Sequence, residues 1–136
     1  MPLTVWSSAR YAFPLPPGHR FPAEKYAMLR DRVVAEGIVS PERVLDPAGA
    51  SDAMLRLVHT AEYVERFVGG ALSAAEVRRL GFPWSPALVE RSRRAVGGTV
   101  AAARHALAHG TAMNLAGGTH HAFPDHGEGL DRKSTL

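Results

Sequence analysis

"SPALVERSRRAVGGTVAAARHALAHGTAMNLAGG", residues Ser85 to Gly118, decides the fold of this 136-residue chain. Ser85 is a helix-capping residue type, and Pro86 is pre-set for the first helical position. Helix formers then run to His109, where Gly110 can close the helix. The spacing predicts one helix over Pro86 to His109. Val89, Val96, Val100, Ala103 and Leu107 recur at gaps of seven, four, three and four, which places them on one stripe. Gly97-Gly98 sits in mid-helix at a cost of about 1 kcal/mol per glycine against alanine. Close approach of another backbone would explain them. "TAMNLAG" (Thr111 to Gly117) then reads as a buried strand.

Upstream, "LTVWS" (Leu3 to Ser7) is a short, β-prone apolar run and reads as a second buried strand. The prolines and glycine of "RYAFPLPPGHRFP" make a loop. Pro22 fits the start of a helix reaching about Glu36 and stopped by Gly37, with Tyr26, Leu29, Val33 and Val34 on one face. "SPERV" reads as a short turn. Ser51 caps "DAMLRLVH", Thr60 caps "AEYVERFV" up to Gly69-Gly70, and "SAAE" (Ser73 to Glu76) is a capping box for a helix ending near Leu80. Strand, helices, long helix, strand is an α/β layout with parallel strands. One domain covers 1–136.

Hydrophobic residues make up 46% and charged residues 21%, as in a globular protein. No run approaches the roughly 20 apolar residues of a membrane helix, and no secretory leader is visible, so a cytoplasmic location is expected. The absence of cysteine excludes disulfides and thiolate metal sites. Net charge is +3, but the cations are scattered. The loose cluster Arg91, Arg93 and Arg94 reads as a solvated helix face rather than a nucleic-acid surface.

Open α/β sheets gather their sites beyond the carboxyl ends of the strands. His120 and His121 lie just past such an end, behind Gly117 and Gly118. Imidazole can take a proton from water and return it to a leaving group. The same pair also fits a surface pair or a self-bonded loop, and spacing alone leaves both open. Metal ligation by the pair is disfavoured, because adjacent residues seldom converge on one ion and no DxH pattern is present. Asp125, His126 and Glu128 follow on a polar loop. His59, His105 and His109 read as structural or exposed.

Four ordered stretches now carry a resemblance. "LPPGHRFPAEKY", "LRLVHTAEYVERF", "LGFPWSPALVERS" and "RAVGGTVAAARHALAHGTAMNLAGGTHHAFPDHGEG" resemble the histone deacetylase family, in its bacterial acetoin-utilisation-like branch. Similarity runs from about Val5 to Gly129. It implies the arginase/deacetylase-type fold, a parallel sheet with helices on both faces. It also implies zinc-dependent hydrolysis of acetyl-lysine-type amides, the ion polarising the carbonyl and acidifying a water. By position, His120 would be the more electrostatic member of the pair and His121 the principal general base and acid. Gly129 would lend its carbonyl to substrate. Leu130 stands where the family has a Phe lining the acyl-lysine tunnel.

After Gly129 the likeness stops. The family continues to an Asp-x-His and a later Asp that hold zinc, and to a Tyr that stabilises the oxyanion. Here "LDRKSTL" (130–136) follows. The Arg usual in the family's first motif has Glu24 and Lys25 near its place. The resemblance therefore implies the amino-terminal portion of a family domain, cut by a frameshift or early stop and inactive alone because the zinc ligands are absent. A non-catalytic remnant pairing with another chain through an open sheet edge, or a product without function, is the alternative. Implied substrates are acetyl-lysine proteins, acetylated polyamines or other small acylated amides.

Overall fold

In the computed structural model, which describes residues 2–118 and 122–128, three short parallel strands tie together distant parts of the chain. They are β1 (Val5–Trp6), β2 (Val44–Leu45) and β3 (Met113–Asn114). Their order is β2-β1-β3, and Val5 stands opposite both Val44 and Met113. Hydrogen bonds continue past the paired residues: Ser7 N–H donates to the Leu45 carbonyl at 3.0 Å, and Leu115 N–H to that of Trp6 at 2.9 Å. Flanked on both sides, β1 buries both of its residues, as central parallel strands do.

The two expected strands are thus present but shorter than Leu3 to Ser7 and Thr111 to Gly117. β2 is an addition. It follows a 3-10 turn at Pro41–Arg43, and two residues are too few to show any alternation in sequence.

Among the described residues five helices flank the strands: α1 (Lys25–Ala35), α2 (Asp52–Leu55), α3 (Ala61–Gly69), α4 (Ala74–Leu80) and α5 (Pro86–His109). The caps read from sequence are in place. Ser51, Thr60, Ser73 and Ser85 each accept a bond from the backbone N–H three residues on, and Ser73 with Glu76 completes the capping box. α1 begins three residues later than Pro22. The backbone at 21–23 is committed elsewhere, with Phe21 N–H on the His19 ring and Ala23 N–H on the Phe21 carbonyl. α1 fully buries none of its residues, and Leu29 is exposed. α2 stops at Leu55, leaving Leu57 and Val58 exposed before Thr60 opens α3.

α5 packs across β1 and β3, but not by the stripe of large apolar residues. Leu107 is 90% exposed and Val96 is at the surface. The buried line is Leu88, Arg91, Ala95, Gly98 and Ala102, spaced three, four, three and four, with Val89 and Gly97 beside it. Small residues let the helix sit close to the sheet and to the loop before α2. The expected close approach at Gly97-Gly98 is real. A Cβ on Gly97 would overlap the Ala48 carbonyl, and one on Gly98 would lie 2.9 Å from the Asn114 side chain.

The arginine cluster is not a solvated face. Arg91 is buried. Arg93 donates to the Ala50 carbonyl at 2.9 Å and pairs with Asp52, while Arg94 donates to the Pro47 carbonyl at 2.8 Å and pairs with Glu90. These donors satisfy carbonyls of a loop whose residues 46–50 make no sheet bonds, which is where buried backbone groups need partners. Trp6 meets His105 edge-on, which gives that histidine a structural contact. The result is an α/β fold with a small parallel sheet and flanking helices, a partial deacetylase-type architecture. No helix among the described residues is long and apolar enough to cross a membrane.

Candidate active site

β3 delivers the chain to Gly117 and Gly118, beyond the carboxyl edge of the sheet. His120, His121, Gly129 and Leu130 all lie outside the described residues. Their described flanks are Gly117-Gly118 on one side and Ala122–Glu128 on the other. A hollow of about 260 Å³ borders Gly117, Gly118 and Ala122.

Aromatic rings from four separate segments wall this hollow: Phe13 and Phe21 of the proline-rich loop, Tyr26 of α1, Phe67 of α3, and Phe82. Phe82 meets Phe21 edge-to-face at 5.0 Å between centroids and Phe13 at 5.4 Å, the arrangement ring quadrupoles favour. His19 holds the segments in register. Its Nδ1 accepts from Phe21 N–H at 3.1 Å, so its Nε2–H is the donor to the Gly81 carbonyl at 3.0 Å. One imidazole thereby joins the proline-rich loop to the turn after α4, where Gly81 has a left-handed backbone.

Arg91 lies on the floor of the same hollow, 7% exposed. Its guanidinium carbon stands 4.4 Å from the Tyr26 centroid and 5.9 Å from that of Phe13, and its one hydrogen bond among the described residues is a 3.3 Å contact to the Tyr11 carbonyl. Burial pushes the Arg91 pKa down, with Tyr26 opposing the shift. Burial likewise raises the Tyr26 phenol, with Arg91 opposing.

The segment after the histidines is fixed by the start of α3. Thr60 caps that helix with its hydroxyl and donates its own N–H to the Pro124 carbonyl at 2.9 Å, and His59 Nδ1–H donates to the Phe123 carbonyl at 3.0 Å. Gly127 is pressed into the same corner: a Cβ there would lie 2.7 Å from Leu80 Cδ1 and 2.9 Å from the Tyr63 hydroxyl. Asp125, His126 and Glu128 are brought together. His126 Nδ1 lies 2.7 Å from Asp125, its Nε2 lies 3.9 Å from Glu128, and Arg79 lies 3.8 Å from Glu128. The bond from His126 holds the Asp125 carboxyl below its ordinary pKa. Of these three, only Glu128 borders the hollow.

Among the described residues no group of three His, Asp or Glu side chains could hold a metal ion. They therefore do not provide a donor set for the zinc that the resemblance implies.

Parallel strands, a helix laid across them and a hollow beyond their carboxyl ends define an α/β protein. Residues 19–130 match the histone deacetylase domain, and the chain belongs to that family. It is 45% identical over 120 residues to an uncharacterized protein of Picosynechococcus sp., covering 88% of this chain and 40% of that protein. It is 30% identical over 119 residues to histone deacetylase 2 of Arabidopsis thaliana, covering 82% of this chain and 30% of that protein. The chain thus spans less than half the length of these relatives.

The sequence reading singled out the tandem histidines but missed the hollow's walls. Phe13, Phe21 and Phe82 sit in irregular segments with no period to mark them. Arg91 did carry a signal, since it falls three residues after Leu88 and four before Ala95, in line with the small residues that face the sheet.

Proposed function

We propose that this chain carries the tandem-histidine portion of a site that hydrolyses the amide of an acyl-lysine or a related acylated amine. The observation behind this reading is the aromatic-walled hollow that borders Gly117, Gly118 and Ala122, the residues flanking the histidines. Apolar walls exclude water around an acyl group and strengthen polar contacts made inside. In this reading His121 takes a proton from the attacking water as its oxygen bonds to the acyl carbon. It then returns that proton to the amine nitrogen as the C–N bond breaks. His120 stabilises the charge that develops.

The family is generally zinc-dependent, and the ion supplies carbonyl polarisation and an acidified water when bound. The Asp-x-His pattern that family members use for it does not occur in these 136 residues. We therefore propose that this polypeptide by itself does not turn over acetyl-lysine peptides in the presence of zinc. Turnover that disappears in His121→Ala would overturn this.

The family-level reading is tested by fusing residues 1–128 to the part of the Picosynechococcus protein beyond the aligned region. Deacylation that His121→Ala abolishes is the supporting result. A folded but inactive fusion beside an active parent would sink the reading.

A second reading, pairing with another chain through the sheet edge, draws on β3, an edge strand among the described residues whose Met113 is half exposed. A concentration-independent monomer in analytical ultracentrifugation would count against it.

A further inference from the structure

A buried guanidinium without a carboxylate is an unusual thing to place on the floor of a hollow. Taking a cation out of water costs several kcal/mol unless it is paired. Arg91 has no carboxylate within ion-pair distance among the described residues, and it spends one long hydrogen bond on the Tyr11 carbonyl. Tyr26 and Phe13 offer it ring faces, which hold the planar group in place without using its remaining N–H donors. The floor is therefore cationic and oriented, while the walls above it are aromatic.

We propose that Arg91 makes this hollow a receptor for the terminal carboxylate of an acid-tipped acyl group, such as the succinyl or glutaryl group of an acylated lysine. The inference rests on the amide-hydrolysis reading above and adds the acyl class. A guanidinium fork matches a carboxylate with two parallel bonds, and an aromatic wall suits the methylene chain that leads to it. The volume of about 260 Å³ accommodates a four- or five-carbon acyl chain. Glu128 also borders the hollow. It has a cationic partner of its own, Arg79 at 3.8 Å.

The test is binding by the 136-residue chain, which needs no turnover. Nε-succinyl-lysine amide, Nε-acetyl-lysine amide and free succinate are titrated separately, with Arg91 Nε followed by nitrogen NMR. The expected result is that succinyl-lysine shifts the Arg91 signal and binds roughly tenfold or more tightly than acetyl-lysine, about what one charge-assisted bond supplies. Arg91→Met, checked for folding by circular dichroism, should abolish the preference, and Arg91→Lys should weaken it. Equal binding of the two acyl-lysines overturns the proposal while leaving the amide reading intact. Free succinate binding as tightly as succinyl-lysine overturns it too, and assigns the hollow to a free carboxylate. If no ligand shifts Arg91, the guanidinium is a structural cation only. The comparison of ligands on the native chain decides the matter even if the methionine variant does not fold.

Discussion

Gly97 on α5 and the carbonyl of Ala48 touch so closely that no side chain fits between them. A Cβ on Gly97 would overlap that oxygen and lie 2.9 Å from its carbon. Ala50 N–H donates to the Arg93 carbonyl one turn earlier, and Arg94 donates to the Pro47 carbonyl, so the loop is tied to the helix on either side of Ala48. Backbone cannot swing away as a flexible side chain would.

Gly97→Ala should therefore destabilise the protein despite alanine's better helix propensity. Overpacking of this kind costs about 3 kcal/mol, against roughly 1 kcal/mol gained from propensity. Gly98→Ala meets the Asn114 side chain instead, and should cost less. Urea denaturation of the two variants checks the order. A Gly97→Ala variant as stable as the parent would mean the loop is not anchored there.

The outline of α5 was legible in sequence because its ends are chemical signals: Ser85 and Pro86 at one end, Gly110 at the other. Its orientation was not. The eye follows Val96, Val100 and Leu107, but the sheet selects Ala95, Gly98 and Ala102, because close packing rewards small residues and leaves the large ones outside. The arginines misled for a related reason. Charge suggests solvent, yet Arg93 and Arg94 face carbonyls that no strand or helix satisfies. The tandem histidines could be recognised because they sit in a contiguous motif. The aromatic hollow could not, since Phe13, Phe21 and Phe82 converge only after the proline-rich loop and the turn after α4 are brought together by the bond from His19 to Gly81.

Thr60 joins two duties, capping α3 and holding Pro124. Thr60→Val removes the hydroxyl cap and keeps the backbone donor. A loss of about 1 kcal/mol is expected, the usual worth of a cap. Because the helix start also anchors residues 123–124, hydrogen exchange at 122–128 should speed up along with that of the first turn of α3. Exchange confined to α3 would show that the loop is held by other contacts.

Glu76 makes the fold acid-sensitive. Its carboxylate accepts from Ser73 N–H at 2.8 Å and pairs with Arg66, and these bonds lower its pKa to about 2 from 4.5. A carboxyl with a depressed folded-state pKa contributes stability above its unfolded value and loses it as pH falls through the folded value. The window is thus pH 4.5 down to about 2. Glu76→Gln should lower the melting temperature at neutral pH and flatten its dependence on pH within that window. An unchanged slope would assign the acid sensitivity to other carboxylates.

Arg91 sets function against stability. Buried without a carboxylate, it has its pKa pushed down by the same burial that makes it useful for holding an anion. Methionine has a similar length and no charge to desolvate. It gives up the ring contacts of the guanidinium and the long bond to Tyr11, a bond worth about 1 kcal/mol or less. Replacing a buried charge with a well-packed apolar group is often neutral or stabilising. Arg91→Met should therefore be as stable as the parent within about 1 kcal/mol, or more stable, in urea denaturation. A loss of about 3 kcal/mol or more would mean that Arg91 has an anionic partner in the folded protein already, and that its charge serves the fold.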